Sequence, residues 1–215
     1  MERGASASDI IEEMNRQFDD AIITTDVGQH MMLVSQYAEI TEKKQLVMSG
    51  GLGTMGYGFP AAIGAQIGNP EKRVIAVSGD GGMQMNIQEF ATAVLEETPV
   101  IACVFNNTYL GMVRQWQKLF YGKRYGMTNL RAGALSRRTD GAEFPEYTPD
   151  FVKLAESYGA KGIRVTKTEE ISAAFEEAKK NTKTPTLIEF IIDPEEMVYP
   201  MIKPGGTLED MIMDC

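Results

Sequence analysis

Apolar residues recur along the chain with two periods, and the way those periods alternate lays out a fold. Near the start, Ile10, Ile11, Met14 and Phe18 share one helical face. Asp9-Ile10-Ile11-Glu12 has the form of a capping box, so a helix is expected within an amino-terminal segment of residues 1–20. Residues 21–25 then read as a short strand that breaks at Asp26-Val27-Gly28-Gln29-His30 into a helix reaching Tyr37. Residues 43–48 read only as the approach to a glycine-rich run over 49–58. The five glycines there cannot sustain a helix, and they leave backbone groups free to meet a ligand. A helix follows over 59–67 and stops at Asn69-Pro70; apolar runs at 74–77 and 100–105 flank an amphipathic helix. Farther on come a helix over 112–121, a helix over 149–158, a strand over 162–165, a helix over 168–180 and a strand over 186–192. Strands alternating with helices in this way predict an α/β fold: a doubly wound, mostly parallel sheet with helices on both faces, occupying residues 21–193. Residues 122–148 show no period and read as a lid-like loop, and the Pro-, Gly- and Met-rich tail over 194–215 reads as wrapping the surface or a partner.

The chemistry concentrates where the two apolar runs end. The first breaks at Gly79-Asp80-Gly81-Gly82, and the second ends at Asn106-Asn107. If these strands are neighbours, the Asp80 carboxylate and the Asn107 amide oxygen converge on one crevice at the carboxyl ends, where open parallel sheets bind ligands. Such a pair suits Mg2+, which takes oxygen donors from few protein groups and shares its other positions with water and phosphate oxygens. The glycines admit an anion to the backbone, and the N–H groups of the helix expected to open near Asn86 would point at it. A carboxylate beside a phosphate requires a cation between them, so a metal-bridged diphosphate is the expected ligand. By itself, Gly-Asp-Gly after a strand is more often just a turn.

Composition narrows the partners. The chain has 215 residues, 43% hydrophobic and 24% charged, which is enough for a substantial core. Its formal net charge of −9 leaves no basic face for a nucleic-acid polyanion; the basic clusters are Lys123-Arg124 and Arg131 to Arg138, read as a solvated loop face. No apolar run is long enough to span a membrane, and the first residues lack the apolar core of a secretory signal. Two cysteines, Cys103 and Cys215, make neither a disulfide framework nor a metal-ligand spacing, so a reducing cytoplasm is the expected location.

Gly79-Asp80-Gly81, followed by Asn107 as the second of two asparagines 27 positions after Asp80, resembles the signature of thiamine diphosphate (ThDP) enzymes. Four further stretches are similar to one branch, the large catalytic subunit of acetolactate synthase, also called acetohydroxyacid synthase. They are Asp26-Val-Gly-Gln-His30, Ser49-Gly-Gly-Leu-Gly-Thr-Met-Gly56, Leu110-Gly-Met-Val-Arg-Gln-Trp116 and Pro200-Met-Ile-Lys-Pro-Gly-Gly206. The resemblance runs from Ala21 onward and corresponds to the carboxyl-terminal third of such an enzyme. It implies ThDP and Mg2+ as cofactors, with Asp80, Asn107 and the main-chain carbonyl of Tyr109 holding the cation. Gln29, His30 and the backbone around Gly81 and Gly82 would contact the diphosphate. The Gly53 carbonyl would accept from the pyrimidine amino group, and Met55 would supply a backbone contact and the apolar wedge that folds the cofactor. Met112, Val113 and Trp116 would line the substrate pocket, with Trp116 selecting the second 2-keto acid.

The implied reaction is a carboligation, condensing pyruvate with pyruvate or 2-ketobutyrate in branched-chain amino acid biosynthesis. The implied assembly is a homo-oligomer, with room for a regulatory small subunit. The activating glutamate of the family lies on a separate amino-terminal pyrimidine-binding domain, and a middle domain carries FAD in the full-length enzyme. Neither has a counterpart here, so no catalytic residue is assigned and the chain alone is expected to be inactive. Taken singly, the same residues have plainer readings: His30 as an ordinary satisfied side chain, Met55 and Met112 as core fillers among 14 methionines, Trp116 as packing. Met31-Met32 stand where the family commonly has Gln and an aromatic, and the stretch over 131–145 is longer than in many members. Two other functions stay open, a diphosphate-binding subunit of a split 2-oxoacid decarboxylase and a non-catalytic remnant that keeps only the fold.

Overall fold

A computed structural model describes residues 5–130 and 149–214. Its centre is a parallel sheet of six strands, β1 (Ile22–Thr25), β2 (Gln45–Met48), β3 (Val74–Gly79), β4 (Ile101–Asn106), β5 (Lys161–Val165) and β6 (Thr186–Ile191). They lie in the order β2-β1-β3-β4-β6-β5. Successive residues of each strand point to opposite faces. On one face Ile23, Ile75, Val77, Cys103, Phe105, Ile188 and Phe190 pack against α1 (Ala7–Gln17), α2 (Gln29–Tyr37) and α8 (Ile171–Lys180). On the other, Ile22, Val74, Ala76, Ala102, Val104 and Leu187 meet α3 (Gly58–Gly68), α5 (Phe90–Leu95) and α7 (Phe151–Ser157). Helices on both faces explain why the central strands read as unbroken apolar runs: neither side of them meets water. The doubly wound α/β fold is therefore observed, with every pairing inside the six-stranded sheet parallel.

Four details differ from the sequence reading. β2 was not expected; it is a four-residue edge strand, none of whose residues is fully buried, between the charged Lys43-Lys44 and the glycine-rich run. α1 opens at Ala7 rather than at a capping box on Asp9. Its N-cap, Ser6, makes no side-chain cap bond, and the Ala7 N–H donates instead to both carboxylate oxygens of Glu196, at 3.2 and 3.3 Å. The helical stretch after β3 comes in two pieces: a single turn, α4 (Asp80–Met83), starts directly at the strand end, and a 3-10 turn over Ile87–Glu89, with Asn86 as its N-cap, leads into α5. The tail turns back on its own chain. Val198 is fully buried in the first core, and β7 (Met201–Ile202) pairs antiparallel with β8 (Met211–Ile212). The basic cluster Arg131 to Arg138, most of the lid-like segment and Cys215 lie outside the described residues.

An aromatic chain ties the first core together. Phe175 of α8 meets Phe18 edge-on at 5.6 Å and Phe190 of β6 at 5.6 Å, and Phe190 meets Phe105 of β4 at 6.0 Å. Phe175 is fully buried, so truncating it leaves a cavity that these rings cannot all collapse into. Phe175→Ala is expected to destabilise the chain by about 3–5 kcal/mol, read as a lowered midpoint in urea with an unchanged slope.

Candidate functional site

At the carboxyl ends of β1, β3 and β4 the sheet opens into a crevice of about 310 Å³. It lies where the chain changes direction across the sheet: from β1 it runs outward to β2, then returns past β1 to β3. Its walls come from Gly28, Gln29 and His30 after β1, residues 79–82 after β3, Asn107 and residues 109–113 after β4, Met55 from the glycine-rich run, and Ile192 and Glu196 from beyond β6.

Asp80 and Asn107 both line this crevice, at the ends of adjacent strands with Gly79 level with Phe105. Asp80 is only 4% exposed, and its carboxylate accepts from the Gly81 N–H at 2.9 Å. Burial pushes its pKa up to about 7, against the lowering effect of the Gly81 and Thr108 N–H groups and with a further push from Glu189. Asn107 Oδ1 accepts from the Tyr109 N–H at 2.9 Å, and Thr108 between them sits in the left-handed region at φ +62°. Two glycines keep the wall thin: a Cβ on Gly81 would lie 2.8 Å from Leu110 Cδ2, and one on Gly82 would lie 2.7 Å from Asp26 Oδ1. No group of three His, Cys, Asp or Glu side chains capable of holding a metal exists among the described residues. A cation here would therefore rest on one carboxylate, an amide oxygen and main-chain oxygens, with the rest supplied by ligand and water. That donor set is the habit of Mg2+. His30 adds a fit for an anion. It is buried, its Nε2 has no hydrogen-bond partner, and burial drives its pKa down against the pull of Asp26, so the ring is neutral in the empty crevice and would offer a donor at Nε2 once a nearby anion favours its protonated form.

Residues 26–190 match the family described as "Thiamine pyrophosphate enzyme, C-terminal TPP binding domain". The chain belongs to this family. It is 42% identical over 204 residues to a probable acetolactate synthase large subunit of Methanocaldococcus jannaschii, covering 95% of this chain and 32% of that protein. It is 42% identical over 203 residues to the acetolactate synthase large subunit of Corynebacterium glutamicum, covering 94% and 31%. Against the isozyme 3 large subunit of Escherichia coli it is 40% identical over 194 residues, covering 89% and 31%. The chain thus spans about a third of the length of the curated relatives it matches. Among solved structures, the ThDP-dependent 4-hydroxybenzoylformate decarboxylase of Rhodococcus jostii RHA1 superposes with a TM-score of 0.75 at 25% identity, covering 90% of this chain and 33% of that one.

Most of the residues expected to serve this ThDP-binding domain face the crevice. Gln29, His30, Met55, Asp80, Gly81, Gly82, Asn107, Tyr109, Met112 and Val113 all line it. Met55 reaches across the glycine turn, its Cε 3.2 Å from where a Gly81 side chain would begin. Met112 also packs against the first core, so its plainer reading holds at the same time. Gly53 stands behind the wall, at φ +66°, with its N–H donating to the Ser49 carbonyl at 2.8 Å. Trp116 is not brought in. It is 40% exposed on α6 (Gly111–Phe120), one turn beyond Met112, and stacks edge-on with Phe120 at 6.3 Å. Gln29 is present but engaged: its amide donates to Gln115 Oε1 at 2.8 Å and to the Glu196 carbonyl at 3.0 Å. To reach a diphosphate it must release one of them.

Three residues were given no role of their own from the sequence. Asp26, buried at the end of β1, accepts from the N–H of Gly56 at 2.9 Å and of Gly58 at 3.2 Å, which pins the glycine-rich run over the crevice. Its signal was an acidic residue at a strand end facing a glycine run. Gln115, buried on α6, exchanges two hydrogen bonds with the Val198 backbone, at 2.8 and 3.0 Å. Glu196 carries no local signal at all.

Asp80 makes a pH-dependent prediction for the metal-free chain. Its folded pKa lies above its unfolded value, so the stability it contributes is complete below about pH 4 and is lost as pH rises through about 7. Asp80→Asn removes the buried charge. It is expected to raise the stability of the metal-free chain by about 1–3 kcal/mol at pH 8 and to change it little at pH 4, checked by urea unfolding at both values.

Proposed function

We propose that this chain is the diphosphate- and Mg2+-binding part of an acetolactate synthase. The complete enzyme would condense pyruvate with a second pyruvate or with 2-ketobutyrate, in branched-chain amino acid biosynthesis. The observation that carries the reading is the meeting of a buried carboxylate that no basic side chain neutralises, Asp80, with Asn107 in one crevice, in a chain 42% identical to acetolactate synthase large subunits over nearly all its length. When bound, ThDP supplies the carbon centre that adds to a 2-keto acid and takes up its electrons as carbon dioxide leaves.

The chain's own residues would prepare that chemistry. Asp80, the Asn107 side chain and the Tyr109 carbonyl would hold Mg2+. The cation would neutralise the diphosphate, which the carboxylate of Asp80 would otherwise repel. His30 would donate from Nε2 to a phosphate oxygen only once the anion's charge favours the protonated ring, and the Gly81 and Gly82 backbone would approach that oxygen closely. Met55 would press on the cofactor from the crevice mouth, beside the Gly53 carbonyl held by the turn from Ser49. Met112 and Val113 would border the acceptor keto acid and keep water from it. Trp116 would join them only if α6 shifted toward the mouth.

No carboxylate in the crevice takes the role of the activating glutamate in this reading. Glu196 is committed to the start of α1, and Asp80 to the cation. Catalysis would require the pyrimidine-binding and FAD-type domains of the complete enzyme, in a cytoplasmic homo-oligomer. The share of the relatives' length left unmatched, about two thirds, supports that need. The likeness to a ThDP-dependent decarboxylase favours a second reading, a subunit of a split 2-oxoacid decarboxylase; the higher identity to acetolactate synthases ranks it second.

Calorimetric titration with ThDP is expected to give binding that depends on Mg2+ and disappears in Asp80→Asn. Binding of equal strength in the presence of a chelator would overturn the site. With pyruvate, ThDP and Mg2+ the chain alone is expected to form no acetolactate, and turnover by it would refute the requirement for the other domains.

A further inference from the structure

Behind the crevice, on the side of the sheet facing α7, a buried polar chain runs from the second core to the cation site. Glu189 lies in the middle of β6, fully buried, where Leu187, Ile188 and Phe190 around it are all apolar core. Its register neighbours are Val104 on β4 and Arg164 on β5. One carboxylate oxygen accepts from Asn106 Nδ2 at 2.7 Å and the other from Arg164 Nε at 2.7 Å. Arg164 Nη2 in turn donates to Asp150, the N-cap of α7, at 2.7 Å.

Packing gives no reason for a carboxylate there. A well-packed apolar residue in place of a buried ion pair is commonly as stable or more so. The contact with Asn106 does have a consequence. With its Nδ2 fixed on Glu189, the Asn106 amide must aim Oδ1 the other way, and there it accepts from the Thr108 N–H at 3.0 Å. Thr108 is β-branched and sits at φ +62°, a conformation such residues adopt only when held. The held turn makes Asn107 and Tyr109 face the crevice together, Asn107 Oδ1 accepting from the Tyr109 N–H.

We propose that Glu189 is a positioning residue for the cation site: through Asn106 it locks the turn at Thr108 that presents Asn107 and the Tyr109 carbonyl opposite Asp80. The proposal rests on the Mg2+ and ThDP reading above. Outer partners of this kind typically change metal affinity 10- to 100-fold when removed. Among the described residues, Glu189 is the side chain that fixes the orientation of the Asn106 amide.

The test uses the full 215-residue chain and three variants. Arg164→Leu with Glu189→Leu removes both charges without stranding either, Asn106→Ala breaks the relay one step nearer the turn, and the third combines them. Mg2+ affinity is read from ThDP calorimetry at varied Mg2+, and folding from thermal melts without metal. The expected result is a Mg2+ affinity at least about tenfold weaker in the first two variants, with ThDP affinity at saturating Mg2+ within about threefold of the parent. The combined variant is expected to be no weaker than the weaker of the two, because the residues act in series. Effects that add, or Mg2+ affinity within twofold of the parent in Asn106→Ala, overturn the proposal. If the double leucine variant does not fold, Asn106→Ala alone decides on the same criterion. Mg2+-independent or absent ThDP binding by the parent chain overturns the site reading, and the proposal with it.

Discussion

Asp80 holds a carboxylate in a crevice where water is largely excluded and no basic side chain among the described residues pairs with it, so its charge is tolerable only beside a cation. Much of the surrounding structure follows from that constraint. The strand it terminates is buried on both faces, which places the carboxylate at a fixed depth. The neighbouring strand ends in two asparagines with opposite duties: Asn106 turns back into the sheet to Glu189, while Asn107 turns outward into the crevice. The glycines at 81 and 82 leave no room for side chains that would fill the space an anion needs. A carboxylate that destabilises the empty protein is then a sign of the ligand it is kept for.

The glycine-rich run is held by the same economy of groups. Asp26 uses its two oxygens on the N–H groups of Gly56 and Gly58, and Asn86 Nδ2 donates to the Gly56 carbonyl at 2.7 Å. A Cβ on Gly58 would stand 2.6 Å from the Asp26 backbone nitrogen, so the close approach of the two segments requires glycine at that position. Asn86, expected near a helix opening, stands at the N-cap of the 3-10 turn that leads into α5, and its side chain clamps the loop above.

What could be read from the sequence divides along physical lines. The central strands were legible because burial on both faces leaves continuous apolar runs, and the pairing of Asp80 with Asn107 followed once those runs were taken as neighbours. β2 was not, because three apolar residues, Leu46 to Met48, set directly against a glycine-rich run are too short a stretch to tell a strand from the start of the loop. The start of α1 was misread because the group that caps it, Glu196, is about 190 residues away, and no local window contains it. Trp116 shares a helical face with Met112, but each turn of α6 advances about 5.4 Å, which carries it past the crevice. The engagement of Gln29 with Gln115 and the Glu196 carbonyl joins three distant segments, so it too was invisible to a linear reading.

Glu196 has a consequence for how the molecule comes to exist. Its carboxylate meets the first helix, its carbonyl meets Gln29, and its side of the crevice is the last wall in chain order. Contacts so far apart in sequence form late, since the loops that separate them must close first. During synthesis, from the amino end onward, a nascent chain would carry Asp80 and Asn107 long before the segment that completes their surroundings has left the ribosome. Affinity for the cofactor should therefore arise only once that segment has emerged and folded back, and a polypeptide released before it would carry the signature without the site.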